Sequence, residues 1–271
     1  MRVERVLLKH FTTLAVGGPA ELWQVEDPKE LLLATEAPFR VLGNGSNLLV
    51  SDAGVKERVI KLEGTFLGGE LGGWVGAGSL LPLWVQEAAR QGLSGLEPLL
   101  GIPASVGGAV RMNAGTRQGA IGDALAEVEV FYRGRLEVWP KERLGLGYRK
   151  SALPPGAIVT RVRFDLKKRP RFEIAARMEA TDRARKGQPK KKSAGCAFKN
   201  PPHDAAGRLI DLAGLKGLRV GGAMISLEHG NFIVNLGNAT AMDVWRLIKK
   251  IKARLPELEL EWEVWGDFPD D

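Results

Sequence analysis

Val41-Leu42-Gly43-Asn44-Gly45-Ser46-Asn47-Leu48-Leu49 sets five small or turn-forming residues between two apolar pairs. A Rossmann phosphate turn opens a helix directly after its glycines. Here Leu48-Leu49-Val50 and then Val55 to Ile60 read as extended chain. The turn therefore joins strands, and the Rossmann class is set aside. Consecutive small residues can still point their backbone N–H groups inward and form an anion nest. A dinucleotide pyrophosphate suits such a nest without a helix dipole, although a plain strand-connecting turn accounts for the motif equally well.

A second small-residue stretch runs from Gly101 to Gly115 and includes Ser105, Gly107, Gly108, Asn113 and Ala114. Paired glycines and few charges let a flat, bulky ligand approach the backbone; a buried loop under a sheet is the plainer alternative. Gly147-Tyr148-Arg149-Lys150-Ser151 is a short polar patch, and from the residues alone Arg149 reads as a solvated loop arginine. The segment Ser193 to Pro202 holds the one cysteine, Cys196, after a glycine and flanked by Lys192 and Lys199, with Asn200 following. A buried cysteine is usually inert, but nearby cations favour the thiolate and suit it to proton transfer. Leu258 to Trp265 alternates, with Leu258, Leu260, Trp262 and Val264 on one face and Glu259, Glu261, Glu263 and Trp265 on the other. On the residues alone Glu263 belongs to an acidic solvated face.

The sequence predicts helices over Ser79–Gln91 (carrying Leu83, Val85, Ala88 and Ala89), Phe172–Lys186, Asp204–Ala213 capped by Asp204, and 241–255 opened by a Thr240/Asp243 capping box. Strands are expected at Glu127–Tyr132, Arg135–Trp139, Ile158–Leu166, Asn231–Leu236 and Leu258–Trp265. The polar, proline-marked stretch 165–171 is the expected boundary between a glycine-rich unit and a mixed one.

At 44% apolar, 26% charged and 271 residues, the chain has the composition of an ordinary globular protein with room for two or three modest domains. No apolar run approaches membrane-span length and the N-terminus lacks a signal-peptide core, so the cytoplasm is expected. One cysteine and three dispersed histidines argue against a disulfide and a zinc site. The net charge of +7 admits a nucleic-acid binder, but the basic residues are spread along the chain.

Taken together and in order, Thr12 to Gly18, Gly43 to Asn47, Gly101 to Gly115, Gly147 to Ser151, Gly195 to Pro201, Leu209-Ile210-Asp211, Gly221-Gly222-Ala223 and Leu260 to Val264 resemble the UDP-N-acetylenolpyruvoylglucosamine reductase family, in its shorter subtype. The resemblance implies an α+β chain: an FAD-binding fold of the vanillyl-alcohol-oxidase type in two subdomains (1–60 and 61–168), a substrate domain (169–258), and a C-terminal strand (259–271) carrying a catalytic glutamate. It implies non-covalent FAD, NADPH as electron donor, a UDP-sugar enolpyruvate substrate, and a monomer with no nucleic-acid or membrane partner. Carried over by motif, Arg149, Cys196 and Glu263 are the catalytic residues; Tyr148, Lys199 and Asn200 bind substrate. The two glycine segments, through Gly43, Asn44, Gly45, Ser46, Asn47, Gly101, Ser105, Gly107, Gly108, Asn113, Ala114 and Gly115, hold the flavin. Two departures are plain: Cys196 stands where most members have serine, and Trp265 where many have arginine. Another FAD-dependent alcohol or hydroxy-acid oxidoreductase of the same fold is the competing reading; no histidine lies in either glycine segment, which disfavours covalent attachment of a flavin.

Overall fold

The computed structural model describes residues 1–269. It divides the chain into two compact units that interleave along the sequence. The first comprises Met1–Glu4, Leu22–Asn44 and Glu57–Lys186; the second comprises Arg5–Glu21, Gly45–Lys56 and the chain from Gly187 on.

The strand Pro19–Val25 enters the first unit at Leu22 and there pairs in parallel with Arg58–Leu62, which also pairs in parallel with Phe39–Val41; Leu22 stands opposite Val59 and Phe39 opposite Arg58. Parallel strands need a crossover, and helix α1 (Pro28–Ala34) supplies one. Pro28 sits at its first turn, and Asp27 caps it by accepting from the Lys29 and Glu30 N–H groups. An antiparallel sheet follows in the order Arg135–Pro140, Leu125–Tyr132, Ile158–Phe164, Val75–Gly76. Helices α2 (Leu81–Arg90), α3 (Val106–Arg111) and α4 (Arg171–Ala184) complete the unit. One core holds it together, with Ile60, Val85, Val106, Val110, Val128 and Val162 all buried.

Helix α3 is absent from the sequence reading, because Gly107 and Gly108 each lower helix propensity by about 1 kcal/mol. Ser105 caps it by accepting from the Gly108 N–H at 3.2 Å. A Cβ on Gly107 would stand 2.9 Å from the Ala77 Cβ, so the glycine lets the helix press directly onto its neighbours. Tertiary packing outweighs propensity here.

In the second unit Arg219–Val220, Ala223–Ile225 and Ile233–Asn235 form an antiparallel sheet, packed by α6 (Ala241–Arg254). Leu49, Phe198, Ile225, Ile233, Leu247 and Trp262 share its core. The expected capping box of α6 is present, Thr240 and Asp243 reciprocally bonded. Burial pushes the Asp243 carboxyl up, but the N–H groups of Thr240 and Gly222 and the Thr240 hydroxyl outweigh it and hold it below the usual range. Its contribution is thus complete above the ordinary carboxylate range and is lost as pH falls through the depressed value. Asp52 adds a second cap, accepting from the Ala241 N–H at 2.9 Å and the Met242 N–H at 3.0 Å. Asp52→Ala strands both donors and is expected to cost about 1–2 kcal/mol, read as a lower urea midpoint with unchanged far-ultraviolet dichroism.

Two expectations are corrected in this unit. Helix α5 spans Ala206–Leu212 and Asp204 does not cap it; Asp204 accepts from Ala205 instead, while Asn200 Oδ1 accepts from the Ala206 N–H at 3.0 Å. The run 258–265 is not one strand. Leu260 bridges Phe198, whereas Glu263–Trp265 pairs in parallel with Leu48–Val50. The switch falls at Asn47, whose side chain donates to the Glu261 carbonyl and whose carbonyl accepts from the Glu263 N–H at 3.0 Å. Beyond it Trp265, assigned by alternation to the polar face, is 1% exposed.

Candidate active site

The first unit contains a cleft of about 690 Å³, within the range of small-molecule sites. Gly43, Asn44 and Ser105 line it together with Leu80, Leu83 and Trp84 of α2 and its approach, and Leu80 bridges Ser105. The two glycine segments meet here. Asn44 Nδ2 donates to the Pro103 carbonyl at 2.6 Å, and a Cβ on Gly43 would lie 2.4 Å from Ser105 Oγ. Leu83 is 61% exposed and faces the cleft, as do Lys61, Glu63 and Glu87. None of these stands out in the sequence, and the signal there is weak: a leucine in the first turn of an amphipathic helix after the small-residue run Gly76-Ala77-Gly78-Ser79.

The other members of the second glycine segment serve local structure. Asn113 takes a positive φ of 47° and ties two loops, donating to the Gly147 carbonyl at 3.0 Å and accepting from the Gly122 N–H at 3.1 Å. Ala114 is buried, and a Cβ on Gly115 would stand 2.4 Å from the Gly119 carbonyl. Gly101, at φ 76°, gives its carbonyl to Arg185; Gly108 is exposed beside Ser105.

Arg149 belongs to the first unit. Its φ is 54°, its Nη1 donates to the Gly115 carbonyl at 2.9 Å, and its guanidinium lies 5.4 Å from the Tyr148 ring. A non-glycine residue at positive φ costs about 1–3 kcal/mol and marks a position fixed by its surroundings.

The second unit holds Gly45, Ser46 and Asn47, and also Cys196 and Glu263. Gly45 is required by contact, since a Cβ there would meet the Phe11 carbonyl at 2.1 Å. Cys196 is half-buried, carries a thiol outside any disulfide, and bridges Phe232. The next residue, Ala197, accepts from the Glu261 N–H at 2.8 Å, and Phe198 bridges Leu260. A Cβ on Gly195 would meet nothing within 4 Å. Lys199 forms an ion pair with Glu259. Glu263 is exposed, and its Oε1 accepts from the buried Trp265 Nε1 at 2.9 Å.

The chain resembles known proteins along nearly its whole length. Residues 188–265 match the family model for the UDP-N-acetylenolpyruvoylglucosamine reductase C-terminal domain, and residues 16–135 match an FAD binding domain. A reductase of that name from Thermus thermophilus is 72% identical over 98% of this chain and 100% of its own length. The chain belongs to the UDP-N-acetylenolpyruvoylglucosamine reductase family. A member from Deinococcus radiodurans is 49% identical over 98% of this chain and 97% of its own. The crystal structure of the reductase from Thermus caldophilus superposes with a TM-score of 0.97 at 71% identity, covering 98% of this chain and 100% of that one. The α+β class and flavin-binding fold expected from the reductase resemblance are borne out. No helix among the described residues is long and apolar enough to cross a membrane, and no group of three or more metal-ligating side chains gathers among them.

Proposed function

We propose that this chain reduces UDP-N-acetylglucosamine enolpyruvate to UDP-N-acetylmuramate with electrons from NADPH, and that Arg149, Cys196 and Glu263 carry the chemistry. Family membership supports the reaction, and the cleft of the first unit is the observation that carries it. Its lining combines Gly43, Asn44 and Ser105, small residues that leave room for a pyrophosphate beside backbone, with Leu80, Leu83 and Trp84, which suit a flat ring. That combination fits FAD, held without a covalent bond. When bound, FAD accepts a hydride from NADPH and delivers one to the terminal vinyl carbon of the substrate.

The chain's own residues deal with the charge that follows. Hydride addition pushes negative charge toward the α-carbon and its carboxylate. Arg149 neutralises that charge as a fixed cation, and Glu263, sharing a proton, hydrogen-bonds to it. Cys196 gives its proton to the α-carbon. Tyr148, Lys199 and Asn200 are the proposed substrate contacts, and Ser46, Asn47, Gly107 and the other small residues of the two glycine segments the proposed flavin contacts. On this reading residues 1–60 and 61–168 serve the flavin, 169–258 the substrate, and 259–271 present Glu263. The working unit is a cytoplasmic monomer whose partners are NADPH and the UDP-sugar.

The cleft is tested by Gly43→Val. The added side chain must displace Ser105, which caps α3, and fill the space beside the small residues. FAD affinity of the apoprotein, titrated by flavin fluorescence, is expected to fall tenfold or more, which is about 1.4 kcal/mol. Wild-type affinity in a folded Gly43→Val protein would remove this cleft from the flavin site.

A further inference from the structure

The tripeptide Glu-Val-Trp occurs twice, at 137–139 and at 263–265. A strand puts residues i and i+2 on one face, and both copies use this in the same way. The indole of Trp139 donates to Glu137 Oε2 at 2.7 Å, and that of Trp265 donates to Glu263 Oε1 at 2.9 Å. In both the indole is buried, 2% exposed at Trp139 and 1% at Trp265. At the first copy a cation joins: Arg143 stacks on the Trp139 ring at 3.8 Å and comes within 3.4 Å of Glu137 Oε2. That copy has no assigned chemistry. At the second, the acceptor is the carboxyl proposed above to act on the substrate.

We infer that Trp265 is a positioning residue for Glu263, its buried indole holding an exposed carboxyl in one rotamer for the reaction. The inference rests on the role proposed for Glu263. A glutamate side chain in solvent carries rotamer entropy that must be given up before it can act in one place. Trp265, already packed in the core, has none to lose. Its backbone carbonyl accepts from the Ser51 N–H at 2.9 Å, and the Glu263 N–H donates to Asn47 at 3.0 Å, so both ends of the tripeptide are fixed. The chain turns immediately afterwards: Gly266 has φ 78°, and a Cβ there would stand 2.3 Å from the Gly54 carbonyl. The indole therefore cannot slide along the strand. An indole N–H is a donor only and carries no charge. It orients the carboxyl without bringing a charge of its own beside the reacting group.

The test uses the FAD-loaded enzyme and follows each half-reaction separately by stopped-flow absorbance. In Trp265→Phe, flavin reduction by NADPH is expected within twofold of wild type. The limiting rate of reoxidation by the enolpyruvyl substrate is expected to fall about 10- to 100-fold, the scale of a misplaced reacting group, with substrate affinity little changed. In a Glu263→Ala background the same substitution should add nothing. Replacing Trp265 by its benzothienyl isostere, which keeps the ring's shape and lacks the N–H, should reproduce the loss and preserves the test if the phenylalanine variant fails to fold. Trp139→Phe, which removes the matching indole, should leave both half-reactions unchanged. Normal reoxidation in the Trp265 variants beside slow reoxidation in Glu263→Ala would overturn the inference alone, as would an equal loss with and without Glu263. Normal reoxidation in Glu263→Ala itself would overturn the reading of Glu263 and the inference with it.

Discussion

In Cys196→Ala, NADPH reduces the flavin at the wild-type rate, while reoxidation by UDP-N-acetylglucosamine enolpyruvate is expected to slow by about 10²–10⁴-fold, the usual worth of a positioned general acid. On the proposed role the two half-reactions separate, since the thiol is needed only when a proton must reach the α-carbon. Its setting suits a proton donor. The thiol is half-buried, on an extended segment fixed by bridges to Phe232 and through Phe198 to Leu260, with open space over the preceding Gly195. Alanine removes the proton and little else, so the fold and the flavin should survive. Cys196→Ser restores a hydroxyl donor of nearly the same size and should recover reoxidation to within about tenfold of the parent, a difference of about 1.4 kcal/mol in barrier. Anaerobic stopped-flow measurement of both half-reactions reads all of these. Equal losses in the two would mean that Cys196 acts on structure or on the flavin.

Glu263→Gln should produce a comparable separation, with reoxidation slowed by about 10²–10³-fold, the scale of losing one group that stabilises developing charge. Glutamine keeps the length of the side chain and an oxygen to accept from Trp265 Nε1, the bond seen at 2.9 Å. It cannot share a proton with the substrate as a carboxyl can. A loss therefore isolates the acid function from positioning, and a full rate in Glu263→Gln would remove the residue from the chemistry. The strand should be undisturbed, since the backbone pairing of Glu263 with Leu48 and its bond to Asn47 do not involve the side chain.

The fold is legible in the sequence where local chemistry decides it. Thr240 and Asp243 announce α6 because a capping box is a sequence-local device, and the apolar positions Val244, Leu247, Ile248 and Ile251 are all buried. Leu48-Leu49-Val50 after Asn47 excludes a Rossmann turn for the same reason: strand follows turn directly. Local rules fail where distant contacts decide. Helix α3 forms across Gly107-Gly108, with Gly107 allowing close packing on Ala77, which no local rule encodes. Alternation through 258–265 implies one strand, but the chain changes partners at Asn47, and Trp265 enters the core. The site shows the same division. Gly43, Asn44 and Ser105 are visible as small-residue turns, and the structure gathers them in the lining of one cavity. Neither Lys61 nor Trp84, nor the partnership of Trp265 with Glu263, carries a sequence signal, because each depends on where the chain returns.

The central claim is that electrons pass from NADPH through bound FAD to an enolpyruvyl ether. An anaerobic absorbance titration tests it most directly. The purified protein is expected to be yellow, to bleach with one equivalent of NADPH, and to recolour only when UDP-N-acetylglucosamine enolpyruvate is added. A colourless protein that takes up no FAD, or a bleached one that recolours with a simple alcohol's carbonyl product and not with the enolpyruvyl nucleotide, would contradict it.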